Sequence, residues 1–429
     1  MCPIQPSAIS AVREYSSQNW QIELQCPQCG APLVIEETDR ILSCSFCRVR
    51  LYIHQKGGGR YYLTPRNAPI EDVVFAPYWR FKGMAFSVDP HGMQERLVDS
   101  NLLALRSRGF PYSLGVRPQV LRLRFTTPGL GGKFLSPDFP FEGYCMDQGN
   151  TQGIQSGVKG RGASHSKIFI GEMVSRIHSP FLVRNGTLFD AVLNSHVSEL
   201  PEETLEGLSS SQDLESKVEF IPMLCPGCGW DLEGEKNALV LLCRNCESAW
   251  HVAEGSFEGL DYSFLPGDDD ASVFLPFWRI HAGITGPRLT SYADLVRFAN
   301  LPKAIRRGWE DRPIAYWVPA FKIQPQIFLR LARLFTASQS SGDGQKAVPS
   351  STRHAVTLPL AEAVESVKVL IASLAVQKEA IYSILPKTTI SREECRLVYF
   401  PFVLKGTELI HPAMQMSISV NAVKWGKLL

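Results

Sequence analysis

The sequence predicts an α+β, β-rich fold: two tandem copies of one unit, each a four-cysteine module followed by a small antiparallel β domain, with a few packed helices. Three observations predict it. Eight of the eleven cysteines fall into four Cys-x-x-Cys pairs. Those pairs recur at a displacement of 199 positions, and the same displacement carries an aromatic-proline motif onto its copy. Between these landmarks lie short runs of β-branched and aromatic residues punctuated by proline and glycine, the pattern of half-buried strands.

The repeat is the first element to justify, because a missed repeat misassigns the whole fold. Cys26, Cys29, Cys44 and Cys47 return as Cys225, Cys228, Cys243 and Cys246. In the same register Phe75, Pro77, Trp79 and Arg80 return as Phe274, Pro276, Trp278 and Arg279. Two weaker echoes follow: 110–123 (FPYSLGVRPQVLRL) resembles 318–331 (VPAFKIQPQIFLRL), and 179–187 (SPFLVRNGT) resembles 400–407 (FPFVLKGT) with a one-residue gap. The predicted order is a first module at 1–60, a first β-rich domain at 61–200 with a Gly-rich insertion, and an acidic linker at 201–219. A second module at 220–258 and a second β-rich domain at 259–429 with a helical insertion complete it.

Composition fits this picture. The 429 residues suffice for two to four domains, and 45% hydrophobic with 20% charged residues describes a globular chain. A net charge of +2 is too small to mark a strong polyanion binder. The halves differ, with 21 Lys and Arg against 16 Asp and Glu in 1–200, and 23 against 26 in 201–429. No run of eighteen apolar residues suggests a membrane span. The N-terminus has neither the basic region nor the apolar core of a secretory signal. Paired cysteines in such a chain read as metal ligands in a reducing cytoplasm.

Each module reads C-x2-C-x14-C-x2-C. Four thiolates suit the tetrahedral corners of a structural zinc ion, and a Cys-x-x-Cys turn leaves its amides free to hydrogen-bond the sulfurs. Gly30 and Gly229 follow the first pairs, where a positive φ is commonly required. The segments between the pairs look like hairpins, strand, polar turn and strand. The CPxCG knuckles, CPQCG at 26–30 and CPGCG at 225–229, resemble those of zinc ribbons, the rubredoxin-like class of four-cysteine modules, over about 25 residues in each half. The resemblance implies two structural zinc ions held by Cys26, Cys29, Cys44 and Cys47 and by Cys225, Cys228, Cys243 and Cys246. A rubredoxin-type iron site and redox-active disulfides are the competing readings. The spacer is short for the iron site, and disulfide oxidoreductases carry a single such pair opening a helix. Cys2, Cys145 and Cys395 stand outside the scheme.

After each module come the proline-bearing runs around Pro77, Pro276, Pro319 and Pro401, read as strands. Proline donates no ladder bond, so each should mark an edge or a bulge. Helices are predicted over 292–307 and 358–384, the latter from an apolar stripe at three- and four-residue steps, and both should pack outside the sheets. The Gly/Ser-rich tract 127–166 reads as a long loop.

Catalytic signatures are missing: there is no HExxH, no GxxxxGK[ST] loop, no GxSxG elbow and no strand–GxGxxG–helix unit. The GVKGRG run at 157–162 is a weak phosphate-loop echo, and Asp268, Asp269 and Asp270 read as a solvated turn. Closed thiolate sites leave no position for substrate. The chain is therefore expected to be no enzyme but a cytoplasmic zinc-binding scaffold that presents two related surfaces to a protein partner, without a small-molecule substrate. The alternative is a nucleic-acid-binding protein of transcription or replication acting through the basic first half, where Arg48, Arg50, Lys56 and Arg60 interleave with Tyr52, Tyr61 and Tyr62. Trp79, Arg80, Trp278 and Arg279 are further partner-binding candidates, with core packing of the tryptophans and internal ion pairing of the arginines as the structural alternatives.

Overall fold

The structure, a computed structural model, describes residues 20–426 except 67, 90–91, 108, 116–120, 128, 139–165, 201–217, 268–271, 342 and 415. Cys2, Cys145, most of the Gly/Ser-rich tract, the 157–162 run, the three aspartates and 201–217 of the expected linker lie outside the described residues.

In the first half β1 (Gln21–Gln25), β2 (Pro32–Glu36), β3 (Ile41–Ser43) and β4 (Arg50–Gln55) surround the first four cysteines. There follow β5 (Gly59–Leu63), β6 (Val74–Asp89), β7 (Gly92–Leu103), β8 (Leu123–Phe125), β9 (Lys133–Phe134), β10 (Ser166–Arg184), β11 (Thr187–Asp190) and β12 (Ser195–Glu199). All but β3 and β4 join one ten-stranded sheet, whose spine is the long antiparallel pair β6–β10. β6 holds this place because its two-residue period puts Tyr78, Met84, Phe86 and Val88 on one face, and all four are buried.

The second half opens with β13 (Val218–Pro222), then β14 (Val240–Cys243), β15 (Ser248–Ala253) and β16 (Ser256–Leu260), the last three forming a small sheet around the second four cysteines. β17 (Tyr262–Phe264), β18 (Ser272–Ile284), β19 (Tyr316–Pro319), β20 (Ile390–Lys405), β21 (Glu408–Ile410) and β22 (Ser417–Ser419) form a six-stranded sheet on the spine β18–β20. Helices α1 (Tyr292–Phe298), α2 (Pro325–Ser338), α3 (Leu360–Leu374), α4 (Lys378–Ile384) and α5 (Val420–Gly426) belong to this half. Among the described residues no helix is long and apolar enough to cross a membrane.

Strand register carries the duplication beyond the cysteines. Phe75 of β6 faces Pro180 of β10, and Phe274 of β18 faces Pro401 of β20. Pro77 O accepts from Ala104 N and Pro276 O accepts from Ala320 N, both at 2.9 Å. Pro77, Pro276 and Pro401 correct the edge-or-bulge expectation, since they sit inside central strands, whereas Pro319 ends the edge strand β19 as expected. The flanking ladders to β7 and β19 begin one residue after Pro77 and Pro276, where an N–H first becomes available to donate.

One echo does not survive. Leu102 and Leu103 oppose Trp79 and Tyr78, where the second half places Val318 and Pro319 opposite Trp278 and Phe277. The structural counterpart of β19 is thus the end of β7, and 110–123 is not the counterpart of 318–331. Leu123 lies in a strand, whereas Leu331 lies in α2. Short apolar strings read equally well at either period. Pro325 at the first turn and Gln339 in the left-handed region after the last bound α2 as a helix.

The seam between halves also differs from expectation, for α3 is interior. Its Ala363, Val367, Leu370 and Ile371 are buried, and Glu362 Oε2 accepts the Gly171 N–H of β10 at 3.3 Å. Gly171 sits at φ +66° in a bulge of β10, where an added Cβ would lie 3.1 Å from Leu358 Cδ1. Met84, Phe86 and Ile170 of the first half enter the core of the second, with Phe86 and Phe328 ring centroids 6.4 Å apart. Burying one such phenylalanine contributes about 1.5–3 kcal/mol, so the halves share a core.

Candidate metal centres

A Cys-x-x-Cys turn reverses the chain, so it serves as the turn of a hairpin. In the first module β1 and β2 pair up to Gln25 and Pro32, flanking the first cysteine pair. β3 and β4 pair up to Ser43 and Arg50, flanking the second. This corrects the expected hairpin between the pairs: β2 and β3 belong to different sheets. The second module is closer to expectation. There Glu233 and Leu242 exchange backbone hydrogen bonds of 2.8 and 3.0 Å, while Leu224 bridges Asp231 and β14 pairs with β15 across the two turns.

Within each module the four sulfurs lie within 4.8 Å of one another. Cys26–Cys47 and Cys29–Cys44 are 3.7 Å apart, and Cys225–Cys246 and Cys228–Cys243 are 3.5 Å apart. A disulfide would need about 2.05 Å. A tetrahedral ion with metal–sulfur bonds of about 2.3 Å sets its ligands about 3.8 Å apart, so both donor sets fit such an ion.

The backbone around the sulfurs is common to both modules. Gly30 and Gly229 adopt φ +73° and +74° with open space where a Cβ would stand, so conformation rather than room demands glycine. Arg48 and Glu247 take the same place after the second pairs at φ +61° and +50°, without glycine's freedom. Knuckle amides do reach the sulfurs. The Cys47 backbone N–H, joined by that of Phe46, holds the Cys44 thiol down to about 6. Burial raises Cys225, but the Ser248 hydroxyl and the Cys228 and Gly227 amides outweigh it and hold that thiol at about 6.

The modules are joined. β13, which precedes the second, adds antiparallel to β4 of the first, pairing Val218 with Gln55 and Pro222 with Leu51. Lys236 O accepts from both Arg40 N and Ile41 N, at 2.6 and 2.9 Å. Ile41 and Tyr52 pack with Met223, Cys225, Leu241 and Cys243 in one core, and Tyr52 meets Phe257 edge-on at 5.9 Å.

Of the partner-binding candidates, Arg48, Arg50 and Lys56 are exposed and Arg60 is half-buried. Tyr52, Tyr61 and Tyr62 are all buried in cores, which removes the aromatic faces that would stack on bases. Trp278 is buried and donates to Leu358 O at 3.0 Å, so it is a core residue. Trp79 is half-buried, with the Arg176 guanidinium 6.0 Å from its ring. Arg279 is half-buried with no ion pair among the described residues. Arg80 is wholly buried and faces no partner. It donates to Glu37 at 3.0 and 3.4 Å and to Asp99, and lies 3.9 Å over the Trp20 ring.

The internal ion pairing weighed for Arg80 is the arrangement found, but its partners Glu37 and Asp99 and the adjoining Lys82 were not foreseen. Lys82 Nζ lies 3.2 Å from Glu37. Burial pushes Glu37 up, but Arg80 and Lys82 outweigh it and hold the carboxyl below its ordinary range. Near the same group, burial and the Lys82 and Arg40 charges push Lys322 of the second half down to about 7. No spacing signal joins groups so far apart in sequence. No protein-family profile, curated protein or solved structure matches the chain.

Proposed function

We propose that the chain is a non-catalytic zinc-binding scaffold that presents recognition surfaces to a protein partner in a reducing compartment. The observation that carries this reading is the pair of closed four-thiolate sets built into one joined module. Each set fills a tetrahedral ion's positions, so a bound zinc has no place for substrate and acts as a strut. Zinc is the proposed ion because thiolates at these distances suit its tetrahedral preference and it needs no redox partner. The eight thiols must stay reduced to hold it.

The nucleic-acid alternative rests on Arg48, Arg50 and Lys56 without the tyrosine faces. Two measurements separate the readings. Affinity capture of the native protein should return partners that resist nuclease treatment and disappear when a chelator strips the metal. Titration with a labelled single-stranded oligonucleotide should show no salt-sensitive binding. Salt-sensitive oligonucleotide binding abolished by reversing Arg48, Arg50 and Lys56 to Glu would replace the scaffold reading with the nucleic-acid one.

A further inference from the structure

A groove of about 650 Å³ runs along α2 where the β6–β7 hairpin of the first half meets the helices of the second. Its layers follow from burial. Leu329, Leu374 and Tyr382 are buried and form the floor, while Met93 and Leu301 are half-buried on the walls. Arg330, Arg333 and Lys378 are exposed at the rim, against the half-buried Glu95 as the single acid of the lining. Leu334 stands among these cations, 43% exposed.

α2 explains the arrangement. Phe328, Leu331, Ala332 and Phe335 bury one face in the core. Gln326, Arg330, Arg333, Leu334 and Ala337, spaced at three- and four-residue steps, line the groove with the other. The polar groups here give little directional recognition of a small ligand. The Ser373 hydroxyl already donates to Leu370 O at 2.7 Å, and Arg330 donates to Ser417 O at 2.8 Å, which leaves its charge at the rim. An apolar floor with a cationic rim complements an amphipathic helix whose apolar residues recur at three and four steps with acids along the flanks. Met93 and Glu95 come from one half and the helices from the other, so an occupant would touch both copies at once.

We infer that this groove docks an acidic amphipathic helix of a protein partner, an assignment that rests on the scaffold reading and gives it a place on the molecule. The probe is a fluorescein-labelled synthetic helix of about five turns, with Leu at the apolar positions and Glu on both flanks, titrated against the metal-loaded full chain by anisotropy. Binding should weaken at least about tenfold in Arg330→Glu/Arg333→Glu, and to a similar degree when Lys replaces every Glu of the probe. Arg333→Glu alone, at an exposed side chain, gives a second variant that leaves the fold intact, and unchanged metal content confirms it. No binding to the wild type, equal binding of the Lys probe, or binding unaffected by the reversals would overturn the assignment. So would binding of sodium oleate in place of the helix, or a chain dimer in light scattering that the reversals dissolve. Failure of this titration removes the groove alone, because the scaffold reading falls only with the oligonucleotide and capture experiments.

Discussion

The two four-cysteine modules hold the same donor geometry in different settings. In the first, β1 and β2 merge into the ten-stranded sheet, and Cys26 and Cys44 pack in the large core of that half. In the second, β14 to β16 form a sheet of their own, and Cys225 and Cys243 pack in the small core that Ile41 and Tyr52 complete. The second also has a polar support that the first lacks. Ser248 Oγ lies 3.0 Å from Cys246 Sγ and accepts from Trp250 Nε1 at 2.7 Å, whereas Val49 occupies the corresponding position of the first. Duplication therefore kept the ligand set while the means of holding it diverged: packing steadies one site, and packing plus a hydroxyl steadies the other.

The sharpest break between copies is at Arg80 and Arg279. Arg80→Met strips a guanidinium from buried Glu37 and should cost about 3–5 kcal/mol in urea unfolding, while Arg279→Met, which breaks no ion pair among the described residues, should cost under about 1 kcal/mol. Equal losses would mean that the Arg80 network is not the divergent feature.

Lys322 tests the seam between halves. Its folded-state pKa of about 7 lies below the ordinary 10.5, so between these values the unfolded chain binds the extra proton. Stability from this group is therefore fully present above about 10.5 and lost as pH falls toward 7. Wild-type stability relative to Lys322→Met should rise from pH 7 to pH 9; a flat difference would contradict the lowered pKa of Lys322.

Ser248→Val recreates the first module's surroundings in the second. Removing this hydroxyl should speed metal release from that site about tenfold in a chelator assay, with the first site unchanged. Release unaffected by the change would show that Ser248 supports Trp250 rather than the sulfurs. The smallest effect belongs to the left-handed residues: Arg48→Gly and Glu247→Gly should each add about 1 kcal/mol to stability, where Gly30→Ala and Gly229→Ala should subtract a similar amount.

These contrasts also show what the sequence made legible. The cysteine sets and the glycines after the first pairs could be read directly because they depend on local spacing, and the repeat because both copies keep one register at a displacement of 199 positions. The β13–β4 pairing could not, since it joins the second copy to the first through long-range ladder bonds. α2 was hidden by an apolar string that also suits a strand, and α3 was read as a helix but misplaced outside. The hairpin misread in the first module has a local cause, since the turns lie at the cysteines and β2 and β3 enter different sheets. Arg80 and Tyr52 carry types suited to binding, and only their burial removes them from the surface.

The central claim is that both closed sites hold zinc within one joined module. Native mass spectrometry with elemental analysis of the reduced full chain tests it most directly. The account predicts two zinc ions in the wild type, one in Cys225→Ser/Cys228→Ser, and none when Cys26→Ser and Cys29→Ser are added. Stoichiometric iron, a single zinc in the wild type, or disulfide-linked cysteines without metal would contradict it.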